Sequence, residues 1–278
     1  MPQRGRITIV GLGLIGGSLG LALRRRRLAA EVIGLSRRAA SIRAAKRRGA
    51  INWGTTDVRT AVAQADLVVL AGPVDTIAAQ AKRCARFMRP GAVLTDVGST
   101  KAAIVRSLER SLPRGIAFVG AHPIAGSEQR GLRAARPGLF DGAVCILTRT
   151  PRTSARAFRM VRRLWRPLVA HVLTMSPARH DDALAAASHL PHAVACCLMQ
   201  AVQPDVLPPS FLDMTRIANS PPDLWDGIFL TNRTALLRQM ARFDAQWRRL
   251  RAQIRRGDRA AVHALLAAAQ RRRHALQA

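Results

Sequence analysis

Two segments of this 278-residue chain carry side chains able to move protons. Gly120-Ala121-His122-Pro123-Ile124-Ala125-Gly126-Ser127-Glu128 offers a histidine and an acid, and Thr95-Asp96-Val97-Gly98-Ser99-Thr100-Lys101 offers an acid, a hydroxyl and a lysine. Each follows a short apolar run that reads as a strand, as does Ala71-Gly72-Pro73-Val74-Asp75-Thr76. Ligands of open α/β sheets bind outside the carboxyl ends of the strands, so His122, Ser99 and the acids are expected to gather there as an acid/base constellation. Serine hydrolysis is the competing chemistry. Ser99 is not in a nucleophile elbow, however, and the amino-terminal sequence gives a hydrolase nothing to do.

That sequence is Gly11-Leu12-Gly13-Leu14-Ile15-Gly16, directly after the apolar run Ile7 to Val10 and leading into a helical pattern from Ser18 to Arg27. Strand, GxGxxG and helix in this order form the dinucleotide-binding fingerprint. The first glycine permits the tight turn, the second lets backbone approach a pyrophosphate, and the third lets helix pack on strand. Leu14 and Ile15 open the helix whose N–H groups face the anion. NAD-specific sites place an acid about twenty residues further on, to accept from the ribose 2′-hydroxyl. Here that position reads Gly34-Leu35-Ser36-Arg37-Arg38, and Glu31 lies at the wrong end of the strand. A hydroxyl followed by two guanidinium groups suits a 2′-phosphate, so NADP is the favoured cofactor, with NAD the alternative. Pro73 and Asp96, at neighbouring strand ends, join the cofactor-binding set. Asp96 is also suited to stabilising its own loop.

These residues need a scaffold, and its pattern is legible. Short β-branched runs at Ile7 to Val10, Val32 to Leu35, Leu67 to Leu70, Val93 to Thr95, Ala117 to Val119, Val144 to Leu147 and His171 to Thr174 alternate with Ala/Arg-rich helical segments. Several are near-continuous apolar runs, as expected of strands covered on both faces. After Met175 only helical spacing remains. The expected fold is an α/β Rossmann-type domain with a mostly parallel sheet, residues 1–176, followed by an all-α substrate and dimerisation domain, residues 177–278.

Composition narrows the function. The chain has 45 Lys and Arg against 16 Asp and Glu, a net charge of +29, and only three lysines, Lys46, Lys82 and Lys101. Arginine in place of lysine throughout, with tyrosine absent, points to coding bias for most of this charge; the rest would draw anionic ligands. Specific nucleic-acid binding is not expected, because aromatics are only 4% and the arginines are spread over every helix rather than interleaved with aromatics. No apolar stretch is long enough for a membrane helix, and a signal peptide has no room ahead of Ile7. Cys84, Cys145, Cys196 and Cys197 form no CxxC pair and read as reduced, buried thiols of a cytoplasmic protein. His189 and His192 lie one helical turn apart, with no cysteine or acid to complete a metal site.

Taken together, the glycine loop, Asp96 to Lys101, His122 to Glu128, Ser188-His189-Leu190-Pro191-His192 and Asp213-Met214-Thr215-Arg216-Ile217-Ala218 resemble the prephenate/arogenate dehydrogenase family of tyrosine biosynthesis. The match runs over nearly the whole chain in family order. It implies oxidative decarboxylation of prephenate to 4-hydroxyphenylpyruvate, or of arogenate to tyrosine, by a homodimer joined through its helical domain. In that resemblance His122 is the catalytic histidine that takes the proton of the C4 hydroxyl, and Ser99 orients it. Arg216 clamps the ring carboxylate, and His192 and His189 belong to the substrate site. Beside these, Asp213 is read as organising Arg216 or a subunit contact, and Glu128 as reaching the substrate side chain or only pairing with Arg130. One departure is Pro208-Pro209-Ser210-Phe211-Leu212, where many relatives carry glycines and a lysine. NADP-dependent 3-hydroxyacid or imine reductases share the architecture, but they rely on a lysine or aspartate of the second domain, and no lysine follows Lys101. Glu128 would favour the ammonium of arogenate and the arginine excess the keto acid; prephenate is the expected substrate, with arogenate second.

Overall fold

The computed structural model describes residues 5–125 and 129–276. Two compact units make up the chain, 1–232 and 233–278. In the first, six parallel strands lie in the order β3-β2-β1-β4-β5-β6: β1 (Arg6–Val10), β2 (Glu31–Leu35), β3 (Trp53–Thr55), β4 (Leu67–Leu70), β5 (Val93–Asp96) and β6 (Ala117–Val119). The reversal of order between β1 and β4 is the topological switch point of a doubly wound sheet, where a dinucleotide crosses. β1, β4 and β5 are buried almost throughout, and their side chains divide between two apolar clusters, one on each face. Crossover helices α1 (Leu14–Arg25), α2 (Ala39–Arg47), α3 (Val58–Val62), α4 (Ile77–Ala85) and α5 (Ala102–Glu109) cover those faces.

The last strands do not extend this sheet. β7 (Ala121–Ile124), β8 (Val144–Thr148) and β9 (His171–Met175) form a second, three-stranded sheet in which β7 runs antiparallel to β8 and β8 parallel to β9, with α6 (Ala155–Trp165) between them in sequence. β7 is an edge strand, which is why Pro123, lacking an N–H, can stand opposite Cys145. It turns the His122 segment from the loop its sequence suggests into ordered extended backbone.

No strand follows Met175 among the described residues. α7 (Pro177–Leu184), a π-helical turn at Ala185–His189, α8 (Leu190–Ala201), α9 (Pro209–Thr215) and α10 (Pro222–Thr231) belong to the first unit, whereas α11 (Arg233–Arg255) and α12 (Arg259–His274) make up the second. Compactness therefore divides the chain far beyond residue 176. Among the described residues, no helix is long and apolar enough to cross a membrane. The thiols also differ from expectation: Cys84 and Cys145 are buried, but Cys196 is half-buried and Cys197 exposed, because α8 presents that flank outward.

The glycine loop is built by close approach. Gly11 has φ of +97°, and a Cβ there would lie 2.8 Å from the Ala71 carbonyl oxygen. A Cβ on Gly16 would lie 2.0 Å from the Gly11 carbonyl oxygen. Gly16→Ala must therefore push α1 away from β1. The expected loss is about 2–3 kcal/mol, a Tm decrease on the order of 5–10 °C, together with weaker dinucleotide binding. Thermal melts and titration with the dinucleotide check it; an unchanged Tm contradicts the packing account.

Candidate active site

A cavity of about 420 Å³ opens beside the glycine loop, lined among others by Gly11, Ser36, Arg37, Arg38, Pro73 and Arg83. Five of these six were expected from sequence. Arg83 was missed because it lies on α4, a crossover helix with no motif of its own. Gly13 faces open space, with nothing within 4 Å of a Cβ built on it, and no side chain caps α1. The loop thus presents bare backbone N–H groups to whatever enters. Leu14 and Ile15 pack partly buried against the core, and buried Gly16 seats the helix. Glu31, the one acid near the second strand, accepts from Trp53 Nε1 at 2.7 Å and pairs with Arg6 at 3.2 Å, so it is engaged away from the ribose position. Cys84 also lines the cavity, but burial pushes its thiol up to about 11, which keeps it protonated.

A bonded network surrounds His122. Nδ1 of His122 lies 2.9 Å from Nε2 of His180. Nδ1 of His180 in turn lies 2.8 Å from Oδ1 of Asp181. The Asp181 carboxylate also accepts the N–H of Lys101 at 2.7 Å and of Ala102 at 2.8 Å, capping α5 from another element. Neither Ser99 nor any other residue of its own loop supplies that cap; Ser99 sits half-buried just before α5, and the capping position itself is Lys101. Asp96 is fully buried, ion-paired with the equally buried Lys101, and accepts from Gly98 and Ala121 N–H groups at 3.0 Å each. It acts through the protein, fixing the Ser99 loop and the start of β7, rather than facing the cavity.

His189 and His192 are brought to the same place by an irregularity. Pro191 has no N–H to bond back into the preceding turn, and the chain widens into the π-helical turn just before it. His189 Nδ1 meets Asn232 Nδ2 at 3.1 Å, while Asn232 also donates to the Asp181 carbonyl at 2.8 Å. His192 stacks on Trp225 with ring centroids 3.5 Å apart and planes 7° from parallel, and its buried Nδ1 has no partner among the described residues. Trp225 meets His189 edge-on as well. Its helix, α10, packs on the 3₁₀ turn Val74–Thr76 at the cofactor loop, tying the two regions together. Arg216 opens a 3₁₀ turn, Arg216–Asn219, packed against α8, with its side chain exposed. Asp213 is exposed on α9 and is not drawn into the histidine network. Glu128 lies outside the described residues. Sequence reading missed His180, Asp181, Trp225 and Asn232; none stands in a recognisable motif.

Burial governs the protonation of these histidines. Desolvation, followed by the neighbouring His180, Lys101 and His189, holds His122 well below the usual imidazole range. Desolvation also lowers His180, despite the opposing hydrogen bond to Asp181, and lowers His192. It takes His189 down to about 4. All four are neutral at pH 7. In the unfolded chain they titrate near 6.5, so as pH falls below that value the unfolded state takes up protons first and stability declines. Between pH 6.5 and the lowered folded values, each buried neutral histidine removes about 1.4 kcal/mol per pH unit. The Tm is expected to be flat from pH 7 to 8 and to fall steeply from pH 6 to 5; a Tm that holds to pH 5 contradicts the neutral assignment.

The chain also has counterparts among known proteins. The family model described as "Prephenate dehydrogenase, nucleotide-binding domain" matches residues 19–174, and "Prephenate dehydrogenase, dimerization domain" matches residues 176–268. A prephenate dehydrogenase from Bacillus subtilis is 35% identical over 251 residues, 87% of this chain and 67% of that protein. A cyclohexadienyl dehydrogenase from Zymomonas mobilis is 35% identical over 265 residues, 91% of this chain and 89% of that protein. The crystal structure of prephenate dehydrogenase from A. aeolicus in complex with hydroxyphenyl propionate and NAD+ superposes with a TM-score of 0.90 at 33% identity, covering 98% of each chain.

Proposed function

We propose, from the premise that this chain belongs to the prephenate dehydrogenase family, how its residues oxidatively decarboxylate prephenate to 4-hydroxyphenylpyruvate. The chain is a nicotinamide-dependent oxidoreductase. The observation that carries the reading is His122 itself: a neutral, half-buried imidazole on an edge strand, held through Nδ1 by a buried partner, in a chain that also carries a dinucleotide loop. The bound nicotinamide supplies a hydride acceptor for C4 of the substrate. His122 Nε2 takes the C4 hydroxyl proton as C4 becomes carbonyl-like. The C1–carboxylate bond then breaks, carbon dioxide leaves, and the freed electron pair completes the aromatic ring. The phenolate oxygen formed at C4 recovers a proton. Aromatisation drives the reaction, so the protein's task is chiefly placement.

Ser99, in the loop that Asp96 and Lys101 fix, shares the hydroxyl's hydrogen bond and orients His122. Arg216 clamps the ring carboxylate, where a planar fork matches two oxygens. His189 and His192 form the floor of the substrate site on the Trp225 ring, Glu128 faces the substrate side chain, and Asp213 supports Arg216 or a subunit contact. Residues 177–278 act as the substrate and dimerisation domain of a cytoplasmic homodimer. Absorbance at 340 nm with prephenate or arogenate and either NAD or NADP tests the whole: turnover is expected, fastest with prephenate, and none in any of the four combinations by folded protein overturns it.

Within that reading the preferred cofactor is NADP. Ser36, Arg37, Arg38 and Arg83 together line the cavity and offer a hydroxyl and three guanidinium groups to a 2′-phosphate, with no acid to accept from a free 2′-hydroxyl. Arg37→Ala with Arg38→Ala is expected to raise the Kd for NADP on the order of 100-fold while changing that for NAD less than about threefold. Titration with each cofactor decides it; a wild-type protein that binds NAD more tightly overturns the preference.

A further inference from the structure

We infer that His180 and Asp181 are positioning residues that fix the tautomer of His122, leaving Nε2 as a bare lone pair toward the substrate. The inference rests on the reading of His122 as proton acceptor and adds the device that sets which nitrogen does the accepting. An ionised carboxylate only accepts hydrogen bonds. Asp181 Oδ1, already receiving the Lys101 N–H, lies 2.8 Å from His180 Nδ1, so that nitrogen carries a hydrogen. A neutral imidazole holds one such hydrogen, which makes His180 Nε2 an acceptor. Its partner 2.9 Å away is His122 Nδ1, which must donate. The single hydrogen of neutral His122 is thereby spent on Nδ1, and Nε2 is left unprotonated. An imidazole without such a partner favours the opposite tautomer, with the hydrogen on Nε2, and in that form His122 cannot take a proton where the substrate offers one.

The surroundings hold the chain of three in place. His180 is wholly buried and Asp181 4% exposed. Two backbone N–H groups of α5 lock the carboxylate, and Asn232 holds the Asp181 carbonyl. The arrangement has a second use. When Nε2 takes up the proton, the imidazolium keeps its Nδ1–H on His180, whose other end rests on a carboxylate, so the positive charge forms against an acceptor already in position. The proton itself stays on His122 until it returns to the product oxygen. Nothing passes down the relay.

Nitrogen-15 NMR of the full-length protein at neutral pH reads the tautomer directly, with the His122 signals assigned from their loss in His122→Asn. Wild type is expected to show His122 protonated on Nδ1. His180→Leu, which removes the acceptor, is expected to move the hydrogen to Nε2 and to lower kcat on the order of 100-fold with both KM values unchanged. His180→Gln, whose Oε1 can accept the same bond, is expected to recover at least about tenfold of that loss. A wild-type His122 protonated on Nε2, or a His180→Leu enzyme within about twofold of wild-type kcat, overturns the inference. If His180→Leu does not fold, the wild-type spectrum still decides. If the tautomer is as stated while His122→Asn retains its kcat, the assignment of His122 as base fails and the positioning role of His180 stands.

Discussion

His122→Asn is expected to lower kcat about 10²- to 10⁴-fold with little change in either KM. Asparagine approximates the imidazole in size and still offers a group to the His180 bond, so β7 and the network behind it should survive. What it lacks is a nitrogen that can hold a proton. Substrate affinity should persist because the groups assigned to the carboxylates and the dinucleotide lie on other elements, at Arg216 and around the glycine loop. Steady-state kinetics checks the split. A near-normal kcat would remove His122 from the chemistry altogether, and a large rise in KM with kcat unchanged would recast it as a binding residue. The wild-type pH profile follows from the same environment. With His122 held well below the ordinary imidazole value, activity should stay level from pH 8 to below 6.5.

Arg216→Gln is expected to act on the other parameter, raising KM for prephenate on the order of 30- to 300-fold, about 2–3 kcal/mol, with a smaller effect on kcat. A carboxylate held by a guanidinium fork loses both charge and geometry in the glutamine variant. Arg216→Lys keeps the charge and should fall between the two. The side chain is exposed at the start of a 3₁₀ turn on α8, so neither substitution should unfold the protein. Equal loss in kcat and kcat/KM, with KM unchanged, would show instead that Arg216 acts only in the transition state.

The parts of this molecule that were legible in its sequence are those whose physics is local. Buried parallel strands announce themselves as apolar runs, and all seven expected strands are present. The glycine loop is written in residues that only its backbone geometry requires. Two strands were hidden for local reasons too. β3 is three residues long, half-buried, and centred on Gly54. β7 contains a histidine and a proline, both poor evidence for a strand, and is explained only once β8 is seen beside it. The second sheet was illegible for the same reason, since no strand's own sequence states which neighbour it will take. His122 was readable through its motif, but its supports were not. His180 meets His122 across 58 residues, and Arg179-His180-Asp181-Asp182 looks by itself like the solvated start of a helix. Trp225 and Asn232 likewise gain meaning only from side chains of other elements.

Asp181 also bears on how such a chain can be taken apart. The change from sheet to helix at Met175 invites a cut there, as if two modules had been joined. Yet the carboxylate that caps α5 and carries His180 lies six residues beyond that junction, and Asn232, at the end of α10, holds the backbone carbonyl of the same residue. A fragment ending near residue 176 would leave α5 uncapped and His122 without its partner. Recombination between relatives would meet the same obstacle: a nucleotide-binding half exchanged at the obvious seam inherits its histidine but borrows the histidine's orientation from a stranger. The seam that preserves chemistry lies after Asn232, where the compact unit itself ends.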